Sequence, residues 1–117
     1  MKSVSFKDTH CQLIIKVEND VDNLFVLKYK DSILKLINEK RRKIVVFDLS
    51  ETTFIDSSGI GLIIQSYKEV KSYDGKYALC GINKNIKKTI AISGLANSIN
   101  TYEEIYENIK ECVVNQL

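Results

Sequence analysis

The chain has 117 residues, the size of one domain, since domains cluster near ~100 to 150 residues and a second core would be undersized. Apolar residues make up 44% and charged residues 27%, globular proportions that exclude a disordered chain or a fibrous repeat. Seventeen Lys and Arg against fifteen Asp and Glu leave a net charge of +2, too little bias, without strong clustering, for a binder of nucleic-acid phosphates or of a membrane surface.

The N-terminal run Met1 to Asp8 alternates polar and apolar residues instead of building a signal-peptide core. No apolar stretch approaches the ~18 residues of a spanning helix, so the expectation is a single domain over residues 1–117 that stays in the cytoplasm, away from membranes. Cys11, Cys80 and Cys112 are odd in number and form no C-x-x-C pair, a pattern that suits reduced thiols better than a disulfide frame.

In chain order, Val4 and Phe6, then Leu13, Ile14, Ile15 and Val17, predict two strands joined by a short polar turn at Asp8-Thr9-His10. Asp20-Val21-Asp22-Asn23 offers helix-capping side chains, and Val26, Tyr29, Ile33, Leu36 and Ile37 recur at three and four up to the basic Lys40-Arg41-Arg42-Lys43. Ile44 to Leu49 reads as a strand buried on both faces at the middle of a sheet. Ile60, Leu62, Ile63, Tyr67 and Val70 predict a second helix whose end is marked by Asp74-Gly75. Tyr77 to Ile82 is a further strand, followed by a helix from about Asn83 to Ser93 that Gly94 closes in the left-handed conformation. Thr101 and Glu104 have capping-box spacing, ahead of a terminal helix lined by Ile105, Ile109, Cys112 and Val113. The fold class is therefore α/β, a mixed central sheet with flanking helices.

Enzyme chemistry finds little support. The single histidine, His10, falls in the predicted hairpin turn without a second ligand at metal spacing. Ser57 and Ser58 lack a G-x-S-x-G elbow, and a Ser–His pair would rest on that one histidine. Gly59-x-Gly61 is followed by Ile64 where a dinucleotide loop has its third glycine. The expectation is no catalytic activity, no cofactor and no metal. Lys84, Lys87 and Lys88 read as a solvated helix face, and the tyrosines Tyr67, Tyr73, Tyr77, Tyr102 and Tyr106 as packing.

The segment Asp56-Ser57-Ser58-Gly59-Ile60-Gly61 sets two hydroxyls and a carboxylate between a buried strand and a helix's first turn. Two readings stay open from the residues alone. Orphan N–H groups and the helix dipole favour an anion there, so a phosphate on a serine is accommodated without melting the helix. Alternatively Ser57 or Ser58 caps the helix, Asp56 compensates the dipole, and Gly59 and Gly61 permit close packing.

Phe54-Ile55-Asp56-Ser57-Ser58-Gly59-Ile60-Gly61 resembles the signature of the bacterial anti-sigma-factor antagonists of the STAS-domain family, and the strand before it, Gly75 to Cys80 and Ile92-Ser93-Gly94-Leu95 extend the likeness over most of the chain. The resemblance implies that Ser57 is a phosphate acceptor, with Ser58 its neighbour and Asp56, Gly59 and Gly61 part of the partner surface. It also implies a switching cycle. An anti-sigma factor, itself a serine kinase using ATP and Mg²⁺, binds the unmodified antagonist and frees its sigma factor; phosphorylation ends that binding, and a PP2C-type phosphatase restores it. Asn19-Asp20-Val21-Asp22 stands where the family has G-E-L-D, so Asp22 is the matching carboxylate, the glycine is absent, and capping the next helix is its alternative role. The rival is a non-switching STAS subunit of a sensory or lipid-transport complex, in which Ser57 only caps the helix.

Overall fold

Period-two patterning at the start of the chain becomes an antiparallel hairpin: β1 (Val4–Asp8) pairs β2 (Gln12–Val17), with Val4 opposite Val17 and Asp8 opposite Leu13. The computed structural model describes residues 4–9, 11–94 and 100–102; His10, the expected terminal helix and Cys112 lie outside them. α1 (Asn23–Lys40) follows, then β3 (Ile44–Asp48), α2 (Ser57–Lys71), β4 (Lys76–Cys80), α3 (Lys84–Ser93) and β5 (Asn100–Tyr102). The sheet order is β1-β2-β3-β4-β5, with β1 antiparallel and the remaining pairs parallel. β3, the continuous apolar run, is central and buried at all five positions, as a strand covered on both faces must be.

Alternation along the strands divides the core in two. Leu13, Ile15, Val45, Phe47 and Leu79 join Ile33, Ile37, Leu62, Ile63 and Ile90 of the helices in the main cluster. Ile14, Ile44, Val46, Ala78 and Cys80 form a second cluster from the intervening positions. Each fully buried aliphatic side chain contributes roughly 1.5–3 kcal/mol, so the sheet-to-helix layer dominates the stability. Cys11 and Cys80 are buried free thiols, and burial, first, pushes the Cys80 thiol pKa well up, with the Asp48 carboxylate adding to it.

The helix ends refine the sequence reading. α1 ends at Arg41, left-handed without being glycine (φ 47°), its N–H donating to Ile37 O at 2.9 Å and its guanidinium lying 5.0 Å from the Tyr73 ring. After α2 the left-handed residue is Asp74 (φ 63°), not Gly75; Gly75 is required because a Cβ there would come within 2.7 Å of Val70 Cγ1 and 2.8 Å of Tyr73 Cε1. Gly94 closes α3 at φ 79°, as expected. Thr101, expected as a helix cap, instead lies in β5 opposite Leu79: pairing with the open edge of β4 overrides the local capping pattern.

Candidate functional site

β2 and β3 run parallel, so both deliver their C-terminal ends to one edge of the sheet. There the two connections are zipped together. Val21 and Ile55 form an isolated parallel bridge, the Val21 N–H donates to Phe54 O (3.1 Å), and the Asp56 N–H donates to Val21 O (3.3 Å). The N-termini of α1 and α2 are thereby set side by side.

Both helices begin alike. Asp22 (φ −105°, ψ −176°) and Asp56 (φ −102°, ψ −173°) are extended N-caps whose Oδ1 atoms accept from Phe25 N and Gly59 N, each at 2.9 Å. The cap of α2 is therefore Asp56, and neither Ser57 nor Ser58 fills that place, because the carboxylate just after the Val21–Ile55 bridge already meets the third helical N–H. Asp22 likewise caps α1, the alternative role the sequence left open. Asp56 does more than cap: its Oδ2 accepts from Asn23 N at 3.0 Å, so one carboxylate ties both helix starts together. This bridge spans 33 residues of sequence and carries no local signal.

Relieved of capping, Ser57 is the first residue of α2 and is exposed. Ser58 is half-buried, its hydroxyl donating to Asn23 Oδ1 at 3.3 Å. Gly59 is buried, and a Cβ there would stand 2.1 Å from Val21 O and 2.5 Å from Ile55 Cγ1; its glycine serves the close approach of α2 to the Val21–Ile55 bridge, not a turn. Gly61 meets nothing within 4 Å of a Cβ position, so packing does not demand it.

The loop ahead of Ser57 is held by residues the motif does not include. Asp20 Oδ1 accepts from Thr53 N (3.0 Å), Thr53 Oγ1 (2.9 Å) and Phe54 N (3.0 Å). Thr52 Oγ1 donates to Asn19 O at 2.9 Å. Asn83, which caps α3 through Ile86 N at 2.8 Å, donates from Nδ2 to Thr53 O at 3.2 Å. Large exposed apolar side chains flank the same end: Leu24 (76%) and Leu27 (75%) on α1, and Phe54 (54%) in the loop. A shallow groove of about 230 Å³ beside α1 is lined by Asp20, Asp22, Leu24, Phe25, Lys28 and Tyr29. Among the described residues no three His, Cys, Asp or Glu side chains gather as metal ligands do, and no helix is long and apolar enough to cross a membrane.

This small mixed-sheet α/β domain thus presents an exposed serine at a helix start, beside exposed apolar side chains. The chain matches the STAS domain over residues 3–112 and belongs to that family. It is 24% identical over 102 residues to an anti-sigma F factor antagonist of Paenibacillus polymyxa, covering 87% of each chain. It shares its fold with SpoIIAA in the unphosphorylated form (TM-score 0.74, 17% identity, 94% of this chain and 96% of that one). The phosphorylated Bacillus SpoIIAA is similar in the same way (TM-score 0.73, 21% identity, 93% and 98%).

Proposed function

We propose that this protein is an anti-sigma-factor antagonist whose Ser57 is the phosphate acceptor of a partner-switching cycle, acting as substrate and ligand and not as catalyst. The observation that carries the reading is the division of labour at the α2 start: Asp56 caps the helix, and Ser57 is left exposed. The similarity to the Paenibacillus antagonist, which covers 87% of both chains, supports the same class. In this reading the unmodified face of Asp22, Asp56, Ser57, Ser58 and Gly61, shaped from beneath by Gly59, binds an anti-sigma factor that is also a serine kinase. A PP2C-type phosphatase resets it, and the cycle runs in the cytoplasm.

The switch is electrostatic. A phosphate on Ser57 adds about −1.5 to −2 charges at pH 7, next to the Asp56 carboxylate. The helix dipole and the free first-turn N–H groups tolerate that charge within the domain. A partner covering it must bury an uncompensated dianion, and each ~1.4 kcal/mol of that cost is a tenfold loss of affinity. No refolding is required.

Incubation with the candidate kinase, ATP and Mg²⁺, followed by phosphopeptide mapping, tests the assignment. Modification is expected on the peptide containing Ser57 and is abolished in Ser57→Ala, which still binds the partner. Ser57→Asp should weaken that binding at least about tenfold with unchanged circular dichroism. An unmodified Ser57 together with full binding by Ser57→Asp would instead make the chain a non-switching STAS subunit.

A further inference from the structure

The carboxylate that reaches across to the acceptor loop is Asp20, two residues before the one that the family motif singles out. Asp22 is occupied by its own helix at Phe25 N. Asp20 turns a single oxygen, Oδ1, to three donors of the opposite connection, Thr53 N, Thr53 Oγ1 and Phe54 N, all between 2.9 and 3.0 Å. Thr53 and Phe54 are exposed, so burial does not hold that stretch, and a charged acceptor for several N–H and O–H groups is among the stronger local restraints available to a surface loop. Directly after it the backbone zip of Phe54 and Asp56 on Val21 begins, and Ser57 follows.

We propose that Asp20 is the positioning residue of the acceptor loop: it fixes Thr53 and Phe54 against the β2–α1 connection, and so sets the orientation in which Ser57 is offered to the kinase. The inference rests on Ser57 being the acceptor. The motif singled out Asp22, with capping as its alternative role; here Asp22 is the cap and the contact to Thr53 and Phe54 is made by Asp20. In-line transfer to a hydroxyl is sensitive to placement, and a displacement of about 1 Å can cost on the order of a hundredfold in rate. Asn83 restrains the same loop from the α3 side through Thr53 O, so removing Asp20 loosens one side of the loop and leaves the other tied.

Amide hydrogen exchange and phosphorylation kinetics on the full chain, in Asp20→Ala, Asp20→Asn and Thr53→Val, test the proposal. In Asp20→Ala the Thr53 and Phe54 amides should exchange about tenfold faster while β3 amides such as Val46 and Phe47 keep their protection. In the same variant kcat/KM for Ser57 phosphorylation should fall about tenfold or more. Asp20→Asn keeps the acceptor oxygen and should recover to within roughly threefold of wild type; Thr53→Val removes only the hydroxyl bond and should fall between. A general loss of stability would accelerate the β3 amides as well and would not be rescued by asparagine, and that pattern overturns the proposal. Wild-type phosphorylation kinetics in Asp20→Ala, with the loop amides accelerated, would overturn it too. If the wild-type chain is not phosphorylated at all, the acceptor assignment fails and takes the kinase role of Asp20 with it, while the exchange data still decide whether Asp20 holds the loop.

Discussion

Asp56 is the residue on which most at this end of the molecule converges. Its two oxygens satisfy the Gly59 and Asn23 amides, one donor from each of two helix starts, and removing an N-cap alone costs ~1 kcal/mol. Asp56→Ala is therefore expected to destabilise by about 2 kcal/mol, more than Asp22→Ala, whose carboxylate among the described residues has only the cap at Phe25 N. Chemical denaturation of the two variants side by side checks the order; equal losses would show that the Asn23 bond adds nothing. Asp22→Asn keeps a capping oxygen and should melt like wild type. If its charge also meets the kinase, phosphorylation slows in that variant; wild-type kinetics would reduce Asp22 to the cap that the geometry gives it. At Gly59 the issue is space. With Val21 O only 2.1 Å from a built Cβ, even Gly59→Ala must push α2 off the bridge, at a cost of roughly 1–3 kcal/mol, whereas Gly61→Ala has open room and should be neutral or slightly stabilising through helix propensity.

Among the elements, α1 and the β3–α2 loop together carry Leu24, Leu27 and Phe54 into solvent at the serine end. Substituting each by Ser should move stability by less than about 0.5 kcal/mol, because nothing is unburied, yet should weaken anti-sigma-factor binding if this end is the interface. A calorimetric titration showing wild-type affinity in all three variants would place the interface elsewhere. These elements themselves were legible in the chain: period two gave the β1–β2 hairpin, the β-branched run gave β3, and the three-and-four recurrence of Ile33, Leu36 and Ile37 gave α1. The serine motif, too, stood out from its residue types. What could not be read is what depends on partners distant in sequence. Asp20 and Thr53, like Asp56 and Asn23, are 33 residues apart, so no local pattern marks them. Which of Asp56, Ser57 and Ser58 caps α2 is decided by where the extended backbone held by the Val21–Ile55 bridge gives way to helix, and Thr101 went to a sheet edge that only the folded β4 provides.

For the molecule as a whole, the near-neutral charge conceals local order. Asp8 at the hairpin takes a forked pair of hydrogen bonds from Arg42 at 2.7 and 3.0 Å, with Lys40 Nζ at 3.4 Å, tying β1 to the α1–β3 junction. The Arg42 guanidinium, above all, holds the Asp8 carboxyl below its usual value. A lowered carboxylate pKa contributes stability that is present above the unfolded value of 3.8 and is lost as the pH falls through the lower folded one. The pair is solvent-screened, so Asp8→Asn should cost less than about 1 kcal/mol at pH 7, and the gap from wild type should narrow as the pH falls below 3.8 and close once it is under the lower folded value. Melting curves of both proteins from pH 7 to pH 2.5 measure this; a gap that widened toward acid would reverse the sign.

The exposed hydroxyl of Ser57, which caps nothing, has a consequence for how such a protein can change over generations. On the proposed reading, the residue that carries the message contributes little to holding the scaffold, which rests on other residues, Asp56 and Gly59 among them. Message and scaffold are then separable traits. Variants selected only for heat resistance should keep their signalling, and variants selected only for altered partner choice should scatter around an unchanged melting temperature. On that reading, a chain of this kind can be re-addressed to a new partner by substitutions at the exposed positions around one helix start, with Asp56 and Gly59 kept, without first acquiring stability in reserve.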